Sequence, residues 1–480
     1  MIGPLANQTK VLLGNYKWQP THTVSILDGI MKEFSRSTVT YTTGTQLLDH
    51  DSAPIPASAL TVDGKPGVRA SYSRFDINDI NNPRVEKPVT TRVVPDLNAA
   101  FQLPSEAASV QPLVIRYETS LTAPETGDYN LGMKATGFFR MRLDGKNVTN
   151  AFDGTGADAR MGRVHLEAGK PANLEVDLAP QSAQPSATLV WSKVDYAPRL
   201  EAIDAAKNAD VVIAVLGITS ELEGEEMQVS EAGFKGGDRT SIDLPKPEDD
   251  LLQALTATGK PVVLVMTNGS ALAINWAKDH ANAILDAWYL GEEGGTAVAE
   301  TLSGKNNPAG RLPVTFYTSV DQLPPFEDYG MKGRTYRYFT GKPLYPFGYG
   351  LSYKSFSYSG LALPSPKVKA GDPVVVEAAV TNTGRVAGDE VVQLHLSFPD
   401  VKGAPLRALR GFERVHLAPG ASQKVHFELK DRDLSMVTES GDPVISEGQY
   451  KVSVGGGQPD TGAPTVAGTF SITGTQKLPE

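Results

Sequence analysis

Asp210-Val211-Val212-Ile213-Ala214-Val215-Leu216-Gly217 is a short, almost wholly apolar run ending in glycine, and Glu221, Glu223, Glu225 and Glu226 follow it at once. A continuous apolar run of this length reads as a strand buried on both faces, the habit of parallel sheets. In open α/β sheets ligands bind at the loops leaving the carboxyl ends of strands, so carboxylates clustered at this point are placed for chemistry. A solvated acidic loop is the other reading, because charge runs commonly face water.

Outward from this run the α/β pattern continues. Leu200 to Ala206 and Asp249 to Ala257 have helical spacing, and Pro261 to Met266 is a second buried apolar run. Trp276 to His280 belongs to a further helix, Ala283 to Tyr289 follows it, and Gly294 to Leu302 makes a helix with a glycine-rich start. Upstream, Lys10 to Leu13 and Val39 to Thr43 are β-like, with a helix between them over Thr23 to Phe34 capped by Ser25 or Thr23. Alternation of this kind predicts a mainly parallel sheet covered by helices.

Two stretches break the alternation. From about Ala53 the chain turns rich in Pro, Asn and Asp, and from Gly67 to Trp191 it alternates as short strands bounded by turn residues, among them Leu113 to Glu118, Gly127 to Met133 and Phe138 to Lys146, with Asp144-Gly145 as a hairpin signal. After an aromatic, glycine-rich linker, Pro373 to Val380, Glu390 to Phe398, Ala408 to His416, Gln423 to Leu429 and Gly448 to Val454 suggest a second sandwich of about seven strands, fibronectin-like since no cysteine is present. The predicted architecture is multidomain, α/β plus all-β. An α/β sandwich with a mainly parallel sheet (1–52 and 196–318) is interrupted by a β-sandwich insert (53–195). A linker (319–354) then leads to a fibronectin type III-like β-sandwich (355–475).

Composition narrows the function. The 480 residues carry 45 Lys and Arg against 55 Asp and Glu, a net charge of −10. That disfavours nucleic acid, which wants a basic stripe. The absence of cysteine removes disulfides, thiolate metal sites and a cysteine nucleophile. No apolar run approaches the ~18 residues of a membrane span, and no basic region followed by an apolar one opens the chain. Met1 to Ala6 reads like the tail of a strand, so the chain is expected to begin inside a domain. Its location is then periplasmic or extracellular if an export signal lies upstream, and cytoplasmic otherwise.

Several stretches together carry a resemblance. They are Ile2 to Ala6, Leu216-Gly217, Glu223 to Glu226 with Gly237-Asp238-Arg239 and Leu244-Pro245, Asn275-Trp276-Ala277, Ala287-Trp288-Tyr289, Asn307 to Pro313, Arg334 to Tyr338 and Tyr345 to Ser352. The chain resembles the C-terminal half of a glycoside hydrolase family 3 β-glycosidase, of β-glucosidase or β-xylosidase type, over residues 1 to about 455. The insert resembles the protective-antigen-type sugar-binding module. The resemblance implies retaining exo-hydrolysis of terminal β-linked glucose or xylose, with a β-linked oligosaccharide or aryl glycoside as substrate and no cofactor or metal. Retention needs two carboxyl groups ~5–5.5 Å apart. The family's nucleophile is an aspartate on an N-terminal (β/α)8 barrel that this chain is expected to lack. A separate or missing barrel is therefore the expected partner, and the chain alone is expected to be inactive.

The family's acid/base glutamate carries over to Glu225, with Glu226 or Glu223 as alternatives. The spacing departs from many relatives, because eleven residues (Met227 to Gly237) stand between Glu226 and Asp238. A general acid must keep its proton near neutral pH, which crowding with other carboxylates and exclusion of water favour. Asp238-Arg239 reads as an ion pair fixing the loop or as part of the catalytic set. Trp276, Trp288 and Tyr289 read as core, and the linker tyrosines as a sugar-stacking or a domain-clamping surface. In the insert, Gly137-Phe138-Phe139 stands where a calcium-dependent lectin would want aspartates. The competing function is a carbohydrate-binding or scaffolding protein without catalysis.

Overall fold

The computed structural model describes residues 1–46, 52–76, 84–151, 159–181, 184–195, 197–225, 231–363 and 365–479. At its centre the apolar runs become the three-stranded parallel sheet Val212–Gly217, Val262–Thr267 and Ala283–Asp286, in the register Gly217 beside Thr267 and Met266 beside Asp286. Ile2 extends the open edge through parallel bridges to Ala214 and Thr42. Val212, Ala214, Val215, Leu216, Val262, Leu264 and Val265 are all buried, the two-sided burial that a continuous apolar run predicts. Elsewhere most sheets are antiparallel.

Helices cover the parallel sheet. Ser25 caps Ile26–Glu33 by accepting from the Asp28 amide at 3.0 Å, and this helix packs on Gly294–Ser303 at a glycine crossing. A β-carbon on Gly29 would lie 2.1 Å from the Gly295 carbonyl oxygen, and one on Gly295 would lie 1.9 Å from that of Ser25. Gly29→Ala would gain about 1 kcal/mol of helix propensity, yet here it forces the helices apart. A net loss of about 2 kcal/mol is expected, and an unchanged or raised denaturation midpoint would contradict the close crossing. The β-like reading of Lys10 to Leu13 does not hold: Lys10–Leu12 is a single 3₁₀ turn, and an apolar run this short has no period to tell strand from turn.

The strands between Ala53 and Lys193 pack two sheets over a core that includes Ile115, Tyr117, Leu131, Met133, Met141 and Leu174. Asp144 (φ 48°) and Gly145 (φ 77°) form the two-residue hairpin joining Gly137–Leu143 to Lys146–Ala151. A third core, with Val374, Val376, Leu394, Val425, Tyr450 and Phe470, lies between the sheets of the C-terminal unit. Along Val374–Asn382 burial alternates residue by residue, as a strand with one face on a core must.

The linker aromatics join these parts. Tyr336 stacks on Phe347 with centroids 4.1 Å apart, and its hydroxyl accepts from the Leu409 amide at 3.0 Å. The Tyr353 hydroxyl donates to the Thr301 carbonyl at 2.9 Å. Among the described residues no helix is long and apolar enough to cross a membrane.

Candidate active site

Parallel strands discharge their loops at one edge, and here three loops converge on one carboxylate. Glu223 comes from the loop after Gly217. Its Oε1 accepts from the Gly269 amide at 2.5 Å and the Tyr289 hydroxyl at 2.6 Å, and its Oε2 accepts from Ser270 Oγ at 2.6 Å. Gly269 and Ser270 follow the second strand, and Tyr289 follows the third. A β-carbon on Gly269 would sit 2.5 Å from Glu223 Oε1, so glycine is what admits the carboxylate.

Arg239 closes the cluster from the hairpin Phe234–Lys235/Asp238–Arg239. It donates to Ser270 Oγ at 3.1 Å and to the carbonyls of Ser241 at 2.8 Å and Asp243 at 3.3 Å. Burial lowers its pKa, while the charge of Glu223 pulls the other way. Burial and the neighbouring Glu223 push the Tyr289 hydroxyl up, keeping it a proton donor. Asp238 is exposed. Neighbouring residues on a strand point to opposite faces, so Arg239 turns to the Glu223 cluster rather than to Asp238, and the sequence-predicted ion pair is not what fixes this loop.

The backbone sets which glutamate faces outward. The amides of Leu222 and Glu223 donate to the Thr219 carbonyl at 2.9 and 3.2 Å, and Asn15 Nδ2 donates to the Glu223 carbonyl at 3.1 Å. Gly224 is buried beneath Gly237, whose φ is +92° and whose β-carbon, if present, would lie 1.6 Å from the Gly224 carbonyl oxygen. With Glu223 anchored inward and Gly224 covered, Glu225 stands exposed. Glu226 lies outside the described residues. From Glu231 the described chain forms the hairpin Phe234–Lys235/Asp238–Arg239, and Glu231 accepts from Arg163 of the β insert at 2.6 Å.

Two buried carboxyl groups support this edge. Glu248, fully buried in the first turn of Lys246–Thr256, accepts from the Gly217 amide at 2.7 Å, and burial drives its pKa well up. Asp286 ends the third strand with both oxygens buried, and burial pushes it up to about 7, partly offset by Asn268 and the Trp288 backbone. The sign follows from proton uptake: the folded state holds a proton that the unfolded chain releases near 3.9. Stability from this group is therefore complete at about pH 4 and is lost as pH rises to about 7. Asp286→Asn should flatten that part of the stability profile and raise the melting temperature at pH 8. A variant whose profile keeps the wild-type slope would contradict this. Among the described residues no group of three or more His, Asp or Glu side chains is placed to hold a metal.

Gly269 and Ser270 are the parts that sequence reasoning passed over, and Tyr289, read from the sequence as core, instead donates to Glu223 Oε1. The rule that flagged the loop after Gly217 applies equally after Thr267 and Asp286, and would have found them. Trp288 (φ 55°) does pack inward, edge-on to Phe316 at 6.2 Å.

Comparison with known proteins shows the family of the chain. The chain is 36% identical over 475 residues to a xylan 1,4-beta-xylosidase of Xylanibacter ruminicola, covering 95% of this chain and 52% of that protein. It is 39% identical over 270 residues to a periplasmic beta-glucosidase of Salmonella typhimurium, covering 53% of this chain and 34% of that protein. The chain thus spans about half, or less, of the length of these curated relatives. Its fold is similar to that of DesR, a beta-glucosidase from Streptomyces venezuelae solved with D-glucose, at a TM-score of 0.68 and 24% identity over 97% of this chain and 55% of that one. The model described as Fibronectin type III-like domain matches residues 390–458. Because the model described as Glycosyl hydrolase family 3 C-terminal domain matches residues 1–353, the chain belongs to glycosyl hydrolase family 3.

Proposed function

We propose that this chain is the C-terminal portion of a retaining exo-β-glycosidase acting on terminal β-linked glucose or xylose, and that Glu225 is its acid/base. The observation carrying the reading is the loop geometry: Glu223 is held inward by three hydrogen bonds while Glu225 is left exposed at the carboxyl edge of the parallel sheet. A general acid must reach substrate, so the exposed carboxyl suits the role better than one engaged by three donors.

In this reading the nucleophile is an aspartate on a (β/α)8 barrel outside residues 1–480. Docking of that barrel would take Glu225 out of water, the condition under which a carboxyl keeps its proton near neutrality. Glu225 then protonates the departing glycosidic oxygen, and as carboxylate it later draws a proton from the water that cleaves the glycosyl-enzyme. Residues 1–52 and 196–318 are two parts of one α/β sandwich domain with a mainly parallel sheet, interrupted by the insert at 53–195. The bridges of Ile2 to Ala214 and Thr42 support that division. Residues 319–354 are the linker and 355–475 the fibronectin type III-like unit.

The test joins this chain to the barrel of the Xylanibacter ruminicola relative and measures release of aryl alcohol from chromogenic β-xylosides and β-glucosides. Turnover is expected. A folded chimera that binds oligosaccharide through residues 53–195 but releases nothing would favour a carbohydrate-binding protein instead.

A further inference from the structure

The loops after the second and third parallel strands supply the donors that hold Glu223. At their roots lie buried oxygens that meet no hydrogen-bond partner: Asn268 Oδ1 and both carboxyl oxygens of Asp286. A buried polar atom left unpaired is costly, so a group of them calls for an explanation. Met266 pairs with Asp286 across the parallel strands, and side chains two residues apart on an extended chain share a face. Asn268, fully buried, therefore stands diagonally across from Asp286, and its side chain is near enough to act on the Asp286 carboxyl.

The unpaired atoms are all acceptors when Asp286 is ionised, so what this place lacks is a donor. The amide of Asn268 cannot turn to supply one. Its Nδ2 donates to the Ser270 carbonyl at 3.1 Å, and the flipped amide would set oxygen against that carbonyl. Burial disfavours the Asp286 charge and raises its pKa to about 7, and a neutral carboxylic acid carries the missing O–H.

We propose that Asp286 is a positioning residue: as a neutral acid it donates its O–H to Asn268 Oδ1, and this bond ties the stretch 268–270 to the stretch 287–289 so that Gly269, Ser270 and Tyr289 converge on Glu223. The other titratable groups of this edge are Glu223, Tyr289 and Arg239 in the cluster and Glu248 against the Gly217 amide. Tyr289 keeps its proton through burial and the charge of Glu223, and Glu248, driven up by burial, is the group whose titration must be told apart from that of Asp286. Only the consequence for the placing of Glu225 rests on the glycosidase reading. The lock itself can be measured without turnover, so the two fail separately.

Hydrogen–deuterium exchange of the full chain tests it, read by mass spectrometry over the peptide carrying Gly269 and Ser270 and corrected for the intrinsic pH dependence of exchange. In the wild type, protection there is expected to fall about tenfold or more between pH 6 and pH 9, as Asp286 loses its proton and the bond with it. Asp286→Asn keeps a neutral donor and should hold the pH 6 protection at both values. Asp286→Leu has no donor and should show the low protection at both. Circular dichroism identifies whether the leucine variant remains folded, and if it does not, the wild type and Asp286→Asn decide between them. A pH dependence that persists in Asp286→Asn would belong to Glu248 and would overturn the proposal. So would a wild type whose protection does not fall, or a folded Asp286→Leu protected like the wild type at pH 6.

Discussion

Glu225→Gln, made in the chain joined to a family barrel, is expected to slow glycoside hydrolysis by about 10²–10⁴-fold, the usual contribution of a positioned general acid or base. The loss should depend on the leaving group. A dinitrophenolate departs without a proton, so dinitrophenyl glycosides should form the glycosyl-enzyme at close to the wild-type rate, while alkyl glycosides and oligosaccharides lose most. Azide, which needs no general base, should then restore turnover of the activated substrates. Glu223→Gln is the contrasting variant. Glu223 is engaged by Gly269, Ser270 and Tyr289, so its loss loosens the loop and slows all substrates alike, with no rescue by azide. A leaving-group dependence that appears in the Glu223 variant and not in the Glu225 variant would move the acid/base to Glu223.

Arg311→Met is expected to cost about 3–5 kcal/mol of stability, as breaking one side of a buried ion pair does. Arg311 Nη2 donates to Glu390 Oε1 at 2.7 Å, with side chains only 9% and 4% exposed. Arg311 Nε also donates to the Gly456 carbonyl at 3.1 Å. The pair ties the loop Asn307 to Pro313 to the fibronectin type III-like unit, which Gln393 and Gln458 also hold by donating to the Gly348 and Phe347 carbonyls at 3.0 and 2.6 Å. Burial already raises the Glu390 carboxyl, and Arg311 pulls it back. Without Arg311 the carboxyl takes a proton more readily, and a proton bound only in the folded state stabilises it less as pH rises. The damage should therefore be largest above neutral pH and shrink on acidification, when thermal unfolding is followed. A variant equally destabilised at pH 4.5 and pH 8, or not destabilised, would contradict this picture. Arg311→Met with Glu390→Leu should recover part of the loss, since a well-packed apolar pair avoids the stranded charge.

Much of this was legible because local rules agreed. Ser25 stands before a periodic apolar stretch and caps it, Asp144-Gly145 makes its hairpin, and the apolar runs at Val212 and Val262 are parallel strands. The misses have physical causes. Lys10 to Leu13 was too short for any period to decide. Arg239 was paired with Asp238 by adjacency, whereas strand geometry turns neighbours to opposite faces and gives Arg239 to Ser270 and the Glu223 cluster. Tyr289 looked like core because it follows an apolar run, but a hydroxyl on a half-buried ring needs a partner, and it found Glu223. Which of the acidic residues points outward was invisible in the spacing. It is set by contacts across long chain separations: Gly237 over Gly224, and Gly269 against Glu223.

The most direct test of the central claim is aryl β-glucoside and β-xyloside turnover by residues 1–480 alone, beside the same chain joined to a barrel. If this chain contributes the proton donor and not the nucleophile, the chain alone releases no aryl alcohol above background, and the joined protein turns over and loses that turnover with Glu225→Gln. Steady turnover by the chain alone, abolished by Glu225→Gln, would contradict the account, because both carboxyl groups of the retaining pair would then lie within these residues.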